Sequence, residues 1–185
     1  MIFNIIANRV LEIDFIGKKY INGKTEPLNF IASSFNKEPK LRHFKRILSE
    51  IGDEIINYLQ NFFKKFEIPD AVKMDNGFAM AGSSTQPRVI SKVPIWLLSK
   101  KILPIYAVPR KPFSQASIEG NNSVFSRKFW NKIEFKHLKE VDTKLEWFNK
   151  ASEMYLQYQQ PKIKKSSNHK FIPKIYFRRD ALHLV

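Results

Sequence analysis

Residues 10–16, Val-Leu-Glu-Ile-Asp-Phe-Ile, alternate: Leu11, Ile13 and Phe15 fall on one side, Glu12 and Asp14 on the other. A period of two marks a strand with one apolar face. Ile21-Asn22-Gly23-Lys24 supplies a hairpin turn, and the stretch from Pro27 to Phe35 reads as the returning strand. Asn36-Lys37-Glu38-Pro39 turns the chain again, into a third short strand near Leu41 to Leu48. The period then becomes helical. Ile51, Ile55, Ile56, Leu59, Phe62, Phe63 and Phe66 form one wide apolar stripe. Asp53 and Glu54 near its start and Lys64 and Lys65 near its end complement the helix dipole, and Glu67-Ile68-Pro69 stops it.

Ala71 to Met74 reads as a fourth strand, closed by the turn formers Asp75-Asn76-Gly77. From Phe78 to Lys92 the chain is rich in Gly, Ser, Thr and Pro and reads as a loop. A short helix is expected from Pro94 to Leu103, with proline at its entry, and a fifth strand from Pro104 to Val108. Pro109-Arg110-Lys111-Pro112 is extended and basic. A helix follows from Ser117 to Asn131, with Ile118, Phe125 and Phe129 inward, and another from His137 to Gln159, with Leu138, Val141, Leu145 and Phe148 as its seam. The order of elements predicts an α/β fold, a mixed sheet flanked by helices on both faces, within residues 1–160. Residues 161–185 read as a basic linker and the start of a truncated C-terminal module, because the strand from Lys174 to Arg178 has no partner left to pair with.

Composition narrows the function classes. The chain has 185 residues, and its 43% hydrophobic content with 16 Phe and 3 Trp fills a core, which excludes a disordered chain. Thirty-two Lys and Arg against 17 Asp and Glu leave a formal charge of +15, the balance of a protein with a polyanionic partner, nucleic acid foremost. Without cysteine there is no disulfide, thiolate zinc site or catalytic thiol. The histidines, His43, His137, His169 and His183, lack metal-ligand spacing. Met1 to Ala7 is too short and too poorly flanked for a signal peptide, and no apolar run approaches the roughly 20 residues of a membrane helix. The expected location is cytoplasmic and nucleoid-associated.

Three acids stand at positions where such sheets gather ligands. Asp14 lies on the polar side of the first strand, Asp75 ends the fourth, and Glu119 sits in the first turn of a late helix. Singly, Asp14 reads equally well as a solvated strand residue, while a turn former and a helix-start acid are the better readings of Asp75 and Glu119.

Together they resemble a known family. Lys73-Met74-Asp75-Asn76-Gly77 is similar to the strand-plus-turn element of retroviral-type integrases and related DDE transposases. The segment Pro112-Phe113-Ser114-Gln115-Ala116-Ser117-Ile118-Glu119-Gly120-Asn121-Asn122 resembles the family's Pro-rich run and the helix carrying its last acid, and Val10-Leu11-Glu12-Ile13-Asp14 its first strand. The resemblance covers roughly residues 9–160 and implies a ribonuclease H-like fold with a mixed five-stranded sheet. Two features depart from the family: a longer stretch between Asp75 and Glu119, and glycine directly after Glu119.

The resemblance implies metal-dependent nicking of DNA and strand transfer. Asp14, Asp75 and Glu119 would be both the catalytic acids and the ligands of two Mg²⁺ or Mn²⁺ ions, which suits hard oxygen donors. Asn76 and Gly77 would support the turn beside the metals. Arg110, Lys111, Asn122, Ser123, Arg127 and Lys128 are the candidate DNA contacts. The implied partners are DNA ends and target DNA, further copies of the chain, and a separately encoded DNA-binding domain, since the first core strand starts almost at Met1. Two alternatives stay open at the sequence level: a nuclease that cleaves without joining, and a basic DNA-binding remnant without chemistry.

Overall fold

The computed structural model describes residues 10–35, 41–66, 68–82, 90–107 and 116–166, with side chains at 78, 116, 117 and 155–166 excepted. Five strands form one sheet: β1 (Val10–Lys19), β2 (Leu28–Phe35), β3 (Arg42–Ile47), β4 (Ala71–Met74) and β5 (Leu103–Tyr106). Their order across the sheet is β3-β2-β1-β4-β5. β1, β2 and β3 pair antiparallel as a meander, while β4 and β5 join β1 in parallel through helical crossovers. The fold is therefore the expected mixed α/β sheet with helices on both faces.

Alternation along β1 divides the core in two. Leu11 and Ile13 face α1 (Gly52–Lys65), which buries Ile55, Tyr58, Leu59, Phe62 and Phe63 against them. Ile16 faces the other way, into a cluster with Phe30, Phe44, Phe125 and Phe129 that lies under α4 (Ala116–Lys128) and α5 (Leu138–Ser166). The rings there meet tilted, Phe125 lying 5.1 Å from Phe30 and 5.2 Å from Phe44, in the offset geometry aromatic quadrupoles prefer.

Several local expectations change. The face of β1 read as polar is not solvated: Glu12 is 3% exposed, because a sheet covered on both sides leaves no wet face. Ile51 is exposed at the entry to α1 and takes no part in its buried stripe. The segment read as a loop from Phe78 contains one helical turn, α2 (Phe78–Ala81), which drives Met80 into the core. The next helix, α3 (Lys92–Ser99), starts earlier than Pro94 because Ser91 caps it through the Val93 amide at 3.2 Å. It also ends before Leu103, since Lys101 takes a left-handed φ of 61° and releases the chain into β5. α4 ends at Lys128, short of Asn131, and a 3₁₀ turn (Trp130–Lys132) follows. α5 begins as expected but runs through Pro161 to Ser166, and Leu138 in its expected seam is exposed. The expected turn from Asn36 and the strand from Lys174 lie outside the described residues.

Candidate active site

Asp14 sits mid-way along β1, opposite Ala32 of β2, on the face that α4 covers. Asp75 follows the last residue of β4, and β4 lies directly beside β1 in parallel. Parallel pairing brings the C-terminal halves of both strands to the same end of the sheet, and this brings the first two acids together. Glu119 stands in the first turn of α4, which crosses above β1 and β2.

Electrostatics record the approach of all three. Burial is the largest influence on Asp14, and the negative charges of Asp75 and Glu119 add to it. Against hydrogen bonds from Asn122 and the Phe15 backbone, they raise its carboxyl from 3.8 to about 6. Asp14 is half-buried and Glu119 exposed. Among the described residues, no three Asp, Glu or His side chains are drawn in tightly enough to close around a metal ion.

Two devices position the acids. The Asn122 side-chain amide donates to Asp14 Oδ2 at 2.9 Å, fastening α4 to β1. In the Asp75-Asn76-Gly77 turn, the Gly77 amide donates to Asp75 Oδ1 at 3.0 Å, while Asn76 Nδ2 donates to the Ala107 carbonyl at 2.8 Å beyond β5. A Cβ at Gly77 would lie 3.0 and 3.1 Å from the two Asp75 carboxylate oxygens, tighter than ordinary contact. A methyl here would press on the Asp75 carboxylate with no backbone strain to add, since Gly77 is not among the residues with positive φ.

The remaining candidates divide. Ser123, Arg127 and Lys128 are exposed on α4, and Arg127 Nε leans back on the Ser123 carbonyl at 3.4 Å. Asn122, expected among the DNA contacts, is half-buried and turned inward to Asp14. Its three-residue spacing from Glu119 was the available signal, because residues three apart share a helix face. Arg110 and Lys111 lie outside the described residues. Carboxylate and amide oxygens are the donor type that hard divalent cations take, and Asn122 Oδ1, on the side chain that holds Asp14, is buried without a hydrogen-bond partner among the described residues.

Comparison with solved structures agrees with this architecture. The catalytic core domain of BIV integrase matches with a TM-score of 0.55 at 12% identity, over 84% of this chain and 99% of that one. A chain of the simian T-cell lymphotropic virus intasome, solved in complex with PP2A regulatory subunit B56 gamma, matches with a TM-score of 0.58 at 13% identity. That match covers 76% of this chain and 47% of the other, so the present chain spans about half of the intasome protein's length. The fold is that of retroviral integrase catalytic cores, a ribonuclease H-like fold. No family model matches the sequence, and no curated protein matches it. Among the described residues no helix is long and apolar enough to cross a membrane.

Proposed function

We propose that the chain is the core of a DDE-type polynucleotidyl transferase, nicking DNA and joining the freed 3′-end to a target. The observation that carries this reading is the influence of both Asp75 and Glu119 on Asp14 at one end of the sheet. Carboxylates that repel one another in this way are relieved by cations, and a raised, partly buried acid is a common mark of a functional site.

Asp14, Asp75 and Glu119 would hold the ions. Bound divalent cations would supply activation of the attacking oxygen and stabilisation of the leaving one. The chain's own part is orientation. Asn122 holds Oδ2 of Asp14, and the Gly77 amide holds Oδ1 of Asp75, which fixes how each carboxylate is turned. The exposed Ser123, Arg127 and Lys128 on the same helix suit the phosphate backbone, as Arg110 and Lys111 do from their place in the sequence. A net charge of +15 supports DNA as the polyanion. Self-association when two DNA ends are joined, and help from a separate DNA-binding domain, belong to the same proposal.

The test is a strand assay with the 185-residue chain, a labelled duplex and Mg²⁺ or Mn²⁺. Nicked and joined products are expected, with Asp75→Asn abolishing both while salt-sensitive DNA binding persists. Full activity in Asp75→Asn would remove the assignment of the acids. Cleavage without joining, even of a pre-cut 3′-end, would reduce the reading to a nuclease. Binding with no cleavage under any metal would leave a non-catalytic DNA-binding domain.

A further inference from the structure

One row of polar side chains, buried at Glu12 and Ser34 and half-buried at Lys73 and Arg42, crosses four strands beneath α4. In register, Lys73 of β4 stands beside Glu12 of β1, Glu12 opposite Ser34 of β2, and Ser34 opposite Arg42 of β3. Directly paired residues share a face, so all four line up on the side that carries Asp14. Lys73 Nζ pairs with Glu12 Oε1 at 3.1 Å. Arg42 Nε donates to the side-chain oxygen of Asn121 at 2.7 Å, which ties the far end of the row to α4. Glu12 is 3% exposed, Ser34 0% and Asn121 1%.

Such a row is costly in the middle of an apolar layer. Burying an ion pair seldom adds stability over well-packed apolar residues, so its presence calls for another role. Glu12 Oε2, Ser34 Oγ and Asn121 Nδ2 are, besides, buried without a hydrogen-bond partner among the described residues. Neighbouring polar atoms of this kind are commonly bridged by internal water. The decisive relation is with the acids. Glu12 stands two residues before Asp14, Lys73 two before Asp75, and Asn121 two after Glu119.

We infer that the row is a positioning device for the candidate metal site, clamping the three acid-bearing elements to one another one rung below the carboxylates. The Glu12–Lys73 pair fixes β1 against β4, and so Asp14 against Asp75. The Arg42–Asn121 bond fixes the first turns of α4 over the sheet, and so Glu119 against both. The inference rests on the proposed function for its purpose, though not for its mechanics.

Two measurements on the full chain separate purpose from mechanics. The first is Mn²⁺ affinity without DNA, for the parent, for Glu12→Gln/Lys73→Met, which removes the pair without stranding a charge, for Asn121→Leu, and for Lys73→Arg. The double variant and Asn121→Leu should bind roughly tenfold or more weakly, as loss of supporting groups around metal sites does, and Lys73→Arg should retain most of the affinity. Phe63→Leu, a core change on the opposite face, should leave affinity unchanged. Parent-like affinity in the double variant, or an equal loss in Phe63→Leu, overturns the inference. The second is amide hydrogen exchange of the metal-free chain. Faster exchange confined to residues 12–16, 73–77 and 118–122 is expected in the double variant, and a uniform change or none overturns it. If the parent binds no Mn²⁺, the proposed function falls, and the exchange pattern alone decides whether the row clamps these elements.

Discussion

Asn149 acts as a substitute strand for Phe44. Its side-chain amide donates to the Phe44 carbonyl at 2.8 Å and its side-chain oxygen accepts the Phe44 amide at 2.9 Å. Phe44 lies on β3, the outer strand of the sheet, where both groups point away from β2 and would otherwise wait for a neighbour. One buried side chain on α5 therefore satisfies the central residue of an open edge. Arg46 adds a bidentate bond to Asp142 at 2.7 and 2.8 Å, and Lys65 reaches Glu153 at 2.6 Å across the same edge.

Replacing Asn149 with Leu leaves two backbone groups of Phe44 without partners. The expected loss is about 2–4 kcal/mol in urea unfolding, from an unsatisfied cost of roughly 1–3 kcal/mol per group partly offset by water entry. Concentration-dependent self-association should accompany it as the edge opens. A loss below about 0.5 kcal/mol would show that the two bonds contribute little net stability.

Acid should act on two groups in opposite directions. Burial, then the charges of Lys65 and Lys45, lowers His43 from 6.5 to about 4. The unfolded chain then takes up the proton first as pH falls through 6.5, so stability declines from there to about pH 4, by on the order of 2–3 kcal/mol. Asp14 is raised from 3.8 to about 6. Here the folded chain takes up the proton first, so stability rises as pH falls between those values. Allowing for solvent screening of a half-exposed carboxyl, the gain is on the order of 1–2 kcal/mol. His43→Phe should therefore shift the pH dependence toward greater stability in acid, and Asp14→Asn toward less. Denaturant melts from pH 4 to 7 check both, and identical slopes in the two variants would contradict the assignment.

At neutral pH burial of the Asp14 charge, with repulsion from Asp75 and Glu119 added, makes it a liability for the metal-free fold. Asp14→Asn should raise the melting temperature at pH 7 by several degrees. It should at the same time abolish metal-dependent nicking and the stabilisation that added Mn²⁺ gives the parent. A variant less stable than the parent at pH 7 would mean that Asn122 contributes more to Asp14 than its acidic neighbours cost.

Gly77→Ala tests the turn separately from the acids. The new methyl presses on the Asp75 carboxylate, with no backbone strain to add. Stability should change by less than about 1 kcal/mol, while Mn²⁺ affinity and nicking fall together by roughly tenfold. Unchanged affinity would show that Asp75 has room to turn aside.

Much of this architecture is legible where a single segment carries its own period. The alternation of Leu11 and Ile13 and the stripe through Ile55, Leu59 and Phe62 mark elements that the structure forms. The order of strands and the Asp75-Asn76-Gly77 turn are legible in the same way. Relations between distant segments are not. Lys73 and Glu12 are 61 residues apart, and neither periodicity nor composition records which strand lies beside which. Asn149 looks like any polar helix residue until β3 is seen against it. Burial of Glu12 is concealed for a related reason, since one strand's alternation cannot tell whether its second face is covered. Ser91 as a cap and the helical turn at Phe78 were hidden by the loop-like composition around them.

Asn76 has a consequence for the width of the site. Its bond to Ala107 anchors the place from which the chain departs toward Glu119 beside the turn that holds Asp75. Eight residues, 108–115, separate that anchor from the start of α4. Fully extended they reach no farther than about 30 Å. The number of residues alone therefore sets an upper bound on how far the start of the Glu119 helix can stand from the turn that holds Asp75.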